Sequence, residues 1–80
     1  MGIKNAVVMR FRQLCAEKNI KPNELAVRSG VTPSTVYSML DEKRKDVSVV
    51  TVKKLCDGLE ISISDFLDSD IFRSLEQELI

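Results

Sequence analysis

Histidine is absent from these 80 residues, and cysteine occurs only twice, as Cys15 and Cys56. No CxxC pair exists, so the usual four-ligand Cys/His zinc set cannot be assembled. With no histidine and no glycine-rich phosphate loop, catalysis would have to rest on carboxylates or a thiol, and the acidic residues show no paired cluster. The expectation is a chain that is not an enzyme and carries no metal or cofactor. Cys15 follows Phe11 and Leu14, and Cys56 follows Val52 and Leu55, so both fall on apolar helix faces as small hydrophobes. Nothing basic is placed to lower either thiol pKa, which argues against a redox switch. Long apolar runs are also missing; none approaches the roughly 20 residues of a membrane helix. The opening MGIKNAVVM is too polar and short for a secretory signal, and Ala6 stands where a myristoylation signal would want Ser or Thr. A cytoplasmic location, with no membrane partner, is expected.

What is present suits one small globular domain. Apolar residues make up 44% and charged residues 30%, which separates the chain from disordered sequences. Eighty residues can build one small core and leave little room for an enclosed pocket, so no small-molecule ligand is expected. The formal net charge of zero hides a strong asymmetry. Residues 1–54 hold 11 Lys and Arg against 5 Asp and Glu, a net of +6. Residues 55–80 hold 1 against 7, a net of −6. Screening acts within about 8–10 Å, so each half presents its own field to a partner.

The periodicity predicts an all-α chain: a compact bundle of five short helices and a sixth at the C-terminus. Over residues 4–18, Val7, Val8, Phe11, Leu14 and Cys15 form one apolar stripe, with Arg10, Arg12, Gln13 and Glu17 off it. The two arginines read as phosphate contacts or as a solvated face. Asn19 suits a left-handed helix stop, and Ile20 then packs inward. A second helix opens at Pro22 with Leu25 and Ala26 inward. Gly30 supplies the positive φ of a sharp stop, and Val31 plugs the angle that follows. Thr32 is a good N-cap and Pro33 a good first residue for a third helix, whose Val36, Met39 and Leu40 recur at i, i+3 and i+4. Ser48 caps a fourth helix with Val49, Val52, Leu55, Cys56 and Leu59 inward, and Gly58 is a close-packing point or the beginning of the helix end. Ser62-Ile63-Ser64-Asp65 resembles a capping box opening a fifth helix that buries Phe66 and Leu67. Ile71, Phe72, Leu75 and Leu79 line one stripe on the sixth, opened by Ser69 or Asp70.

Two short helices meeting steeply across a glycine turn make a helix-turn-helix. In Leu25-Ala26, Gly30-Val31, Val36 and Met39, followed by Lys43-Arg44-Lys45, the chain resembles the lambda repressor-like, Cro-type family of small bacterial and phage regulators. Residues 51–59 resemble that family's fourth helix and residues 62–67 its fifth, so the likeness covers roughly residues 4 to 68. The division expected is a DNA-binding domain over 1–68 and a helical tail over 69–80.

The resemblance implies double-stranded DNA as partner, with the helix at 33–40 in the major groove. The base-facing residues would be Thr32, Pro33, Ser34, Thr35, Tyr37 and Ser38. This face lacks Gln, Asn and Arg, the strongest bidentate readers of adenine and guanine, so modest discrimination per contact is expected. The phosphate contacts would be Lys21, Asn23, Arg28, Lys43, Arg44 and Lys45. Relatives usually carry Ser or Thr at the Lys21 position and a phosphate-bonding Gln at the Pro22 position. Here Lys21 and the first-turn N–H of Asn23 take their place. Arg28 reads equally as phosphate ligand or solvated charge. The tail residues Ile71, Phe72, Leu75 and Leu79 either pack on their own domain or form a homodimer seam. The expectation is a repressor acting as a homodimer on a pseudo-palindromic operator. A protein-interaction module on the same fold remains the alternative, favoured by zero net charge and by the acidic last 26 residues.

Overall fold

Helix α1 (Ile3–Lys18) supplies the longest core face, burying Val7, Val8, Phe11 and Leu14. It is followed by α2 (Pro22–Ser29), α3 (Pro33–Leu40), α4 (Val49–Gly58), α5 (Ile63–Leu67) and α6 (Asp70–Arg73). The computed structural model describes residues 2–41, 43, 44 and 46–75, so Lys45 and Leu79 lie outside the described residues. Among the described residues every regular element is a helix.

Three helices end in the same way. After α1, Asn19 takes φ 54°, its N–H reaches the Ala16 carbonyl at 3.3 Å, and the Ile20 N–H reaches Cys15 at 2.9 Å. After α2, Gly30 takes φ 69°, with Gly30 bonded to Val27 and Val31 to Ala26. After α4, Glu60 takes φ 60°, with Glu60 bonded to Asp57 and Ile61 to Cys56. Each is a Schellman stop: one left-handed residue satisfies the orphan carbonyls and turns the next, apolar residue back onto the core. Ile20 is buried there, and Val31 and Ile61 pack against the same cluster.

Gly58, read from the sequence as a close-packing point or the beginning of the helix end, is the last residue of α4 and lies against α2, where an added Cβ would stand 2.1 Å from the Ser29 Oγ. Glu60 carries the positive φ, at a cost of about 1 kcal/mol for a residue with a Cβ. Glu60→Gly removes that strain. An expected stabilisation of about 1 kcal/mol would raise the thermal midpoint by roughly 4–8 °C. A midpoint unchanged in calorimetry would mean the backbone at 60 is not strained.

The core is centred on Phe66, fully buried on α5, its ring 4.4 Å from Phe11 and 5.6 Å from Phe72. Leu25, Ala26, Val36, Met39, Val52, Leu55, Cys56 and Leu59 complete it. Cys56 is fully enclosed; burial, with the Asp57 carboxylate adding, pushes its thiol up to about 11. Burial also raises the Cys15 thiol, partly offset by Arg12. Both behave as packing residues.

Two expected core residues are on the surface. Val49, in the first turn of α4, is 69% exposed. Leu67 is 45% exposed, because a five-residue helix turns only one side chain, Phe66, fully inward. Both border an apolar groove of about 380 Å3 that is also lined by Ile3, Val47 and Ile63. The tail differs too. Ser69 caps α6, but the helix stops at Arg73, and Leu75 follows the turn at Ser74 rather than continuing a helical stripe.

Candidate nucleic-acid interface

The angle between α2 and α3 is set by local chemistry at both ends of one short turn. Gly30 stops α2, and the Thr32 side chain accepts from the Thr35 N–H to start α3. Leu25 and Ala26 of α2 are buried with Val36 and Met39 of α3, which fixes the rotation of both helices. Ala26 has no side chain beyond Cβ and is fully buried, which allows close approach.

That rotation leaves the opposite face of α3 outward. Thr32, Pro33, Ser34 and Tyr37 are exposed, Tyr37 by 51%, while Thr35 and Ser38 are half-buried. The face is partly ordered before any ligand arrives. The Thr32 hydroxyl lies 3.0 Å from the Ser34 hydroxyl and 2.9 Å from that of Thr35. Thr35 and Ser38 line a notch of about 170 Å3 with Arg44, Ser48 and Thr51. The notch therefore joins α3, the loop after it and the N-terminus of α4. The last two residues were not expected to belong to this surface. Only the tertiary approach of α4 brings them there.

The cations are unequally placed. Lys43 and Arg44 are exposed beside α3. Lys21 precedes α2 as an exposed N-cap without a side-chain capping bond, and Asn23 is exposed in the first turn. Arg28 donates to the Glu24 carboxylate at 2.9 Å, an i,i+4 pair with both side chains about half exposed. Such surface pairs hold only about 0.3–0.5 kcal/mol, so a phosphate could displace Glu24. Arg10 is half-buried and its guanidinium is already engaged within the domain. Its guanidinium donates to the Phe66 carbonyl at 2.8 Å, the Asp65 carbonyl at 3.0 Å and Gln13 Oε1 at 2.9 Å, holding the C-terminal end of α5 against α1. Sequence periodicity could not show this, since the acceptors are backbone atoms some 55 residues away.

The family model of the Cro/C1-type helix-turn-helix DNA-binding domain matches residues 10–70. The chain belongs to that family. No curated protein matches it by sequence. Among solved structures the Cro/C1-type chain is similar to the crystal structure of the prophage Lp1 protein 11. The two share 28% identity at a TM-score of 0.81, over 94% of this chain and all of that one. The Cro/C1-type fold accounts for the arrangement above: a helix-turn-helix whose second helix is presented outward, next to the loop that carries Lys43 and Arg44. No helix among the described residues is long and apolar enough to cross a membrane.

Of the tail residues, Phe72 turns inward, its ring against Phe66, and Ile71 and Leu75 are half-buried. Arg73 pairs with Asp68, and with Asp70 at 2.8 Å.

Proposed function

We propose that this domain is a transcriptional repressor acting in the cytoplasm, which binds a pseudo-palindromic operator as a homodimer with α3 in the major groove. The observation that carries the reading is the uncovered face of α3, hydroxyls and one phenol, with Lys43 and Arg44 beside it. Lys21, Asn23, Arg28, Lys43, Arg44 and Lys45 hold phosphates and set register and most of the affinity. Thr32, Pro33, Ser34, Thr35, Tyr37 and Ser38 bias the sequence: Pro33 and the Tyr37 ring toward thymine methyls, the hydroxyls toward base edges. Residues 1–68 are the DNA-binding unit. Of the four tail residues read as a seam, Phe72 packs on Phe66 of its own copy; Ile71, Leu75 and Leu79 form the dimer seam, which places two recognition helices about 34 Å apart. In support, Ile71 and Leu75 remain only half-buried within one copy.

Enrichment of random duplexes with the purified protein tests this directly, because an inverted repeat with half-sites one helical turn apart should emerge. Tyr37→Ala should weaken binding to that enriched site by roughly 1–3 kcal/mol and leave random DNA nearly unaffected. Equal losses on both would remove Tyr37 from base readout. The acidic residues 55–80 support a second reading, a protein-interaction module on this fold. A log K that does not fall with log salt, by a slope worth several phosphates, would favour it.

A further inference from the structure

Lys4 is a lysine near the start of α1, in phase with the apolar stripe of Val7, Val8 and Phe11, and it precedes the residues that the family model matches. It is 6% exposed, a buried charged residue among the described residues. Its ammonium donates to the Asp41 carbonyl at 2.9 Å and to the Arg44 carbonyl at 2.9 Å. Both acceptors belong to the loop that follows the recognition helix. The same loop is closed by the Arg44 N–H on the Asp41 carbonyl at 3.1 Å and by the Lys43 N–H on Asp41 Oδ1 at 3.0 Å. One side chain from α1 therefore holds both ends of the turn that presents Lys43 and Arg44.

We infer that Lys4 is a positioning residue for DNA binding, which pre-orders the 41–44 turn so that its cations meet phosphates without a further ordering cost. The inference rests on reading Lys43 and Arg44 as phosphate contacts. Three physical points support it. A cation is removed from water only where its donors are satisfied, and here two of three ammonium donors have charge-assisted carbonyl partners. Asp41 is the C-cap of α3, whose last turn has no basic residue of its own, so Lys4 supplies the cation that the negative end of the recognition helix lacks. Neither acceptor lies in the interior of a helix, so what Lys4 anchors is the loop. Packing of α1 rests on Val7, Phe11 and Leu14. A loop fixed in its bound geometry loses less entropy on association.

The test uses Lys4→Met in the full chain, which keeps the apolar stem and deletes the ammonium. In 15N relaxation the helices should match the wild type while the Lys43 and Arg44 amides gain fast motion. Affinity for any duplex, at one fixed salt concentration, should fall about tenfold, and alike for operator and random DNA. Loop amides that stay rigid, or a mobile loop with undiminished affinity, would overturn the inference. If Lys4→Met does not fold, the wild type itself decides. A Lys4 ammonium resonance with slowed proton exchange, unlike those of exposed lysines, is expected, and its absence overturns the anchor. A wild type that binds no duplex at any salt refutes the DNA reading itself, whereas the relaxation data still report on the anchor alone.

Discussion

Phe66→Ala should leave this domain at the edge of unfolding. The ring is fully buried between Phe11 and Phe72, and it is the only side chain of α5 that enters the core completely. Truncating a core phenylalanine costs about 3–5 kcal/mol through lost transfer energy and the cavity left behind. A chain of this length holds only about 4–12 kcal/mol in total, at roughly 0.05–0.15 kcal/mol per residue. The thermal midpoint should therefore drop by more than about 15 °C. The loss has a structural direction. Phe66 joins α1, α5 and α6, so the tail should loosen first, and Arg10 should lose its purchase on the Phe66 and Asp65 carbonyls. Chemical denaturation would read the loss. A cost below about 1.5 kcal/mol would mean that the three rings do not form the packing centre of the fold.

Gly58→Val should be almost as damaging, by about 3 kcal/mol or more, although it fills space rather than emptying it. A Cβ at 58 would stand 2.1 Å from Ser29 Oγ and 3.1 Å from both Ser29 Cβ and Ser29 N. The hydroxyl could rotate away. The backbone nitrogen belongs to α2 and can move only by displacing that helix. Ser29 itself is placed at a cost, since its buried Oγ has no hydrogen-bond partner among the described residues. Ser29→Ala alone should stabilise by about 1 kcal/mol, the penalty of an unsatisfied buried hydroxyl. Combined with Gly58→Ala it should recover at least 0.5 kcal/mol of that substitution's cost, read as coupling in a double-mutant cycle. Strict additivity would show that α2 and α4 do not meet at this pair. Because α2 carries one side of the helix-turn-helix, Gly58→Val should also weaken DNA binding beyond what partial unfolding explains.

The amino-acid sequence by itself determined the helices of the helix-turn-helix and their caps. Local chemistry accounts for Asn19 as a left-handed stop, Gly30 as the turn, and the Thr32, Ser48 and Ser62 caps, each of which makes its hydrogen bond within three residues. Periodicity accounts for Val36 and Met39 inward and Tyr37 outward, because one helix has one phase. The chemistry of the outward face of α3 follows from that phase alone. Tertiary structure decided what depends on contacts distant in sequence. It placed Lys4 under the loop 37 and 40 residues away, and turned Arg10 from a surface charge into a brace for α5. It chose Ser29 as the partner of the close approach at Gly58 and gave the left-handed position to Glu60. It also left Val49 and Leu67 exposed, since a short helix shows its apolar face to the core only where another element lies opposite. Helix caps and helix phase are properties of a few neighbouring residues. Burial of a charge, or exposure of an apolar side chain, is a property of whatever the rest of the chain brings to that place.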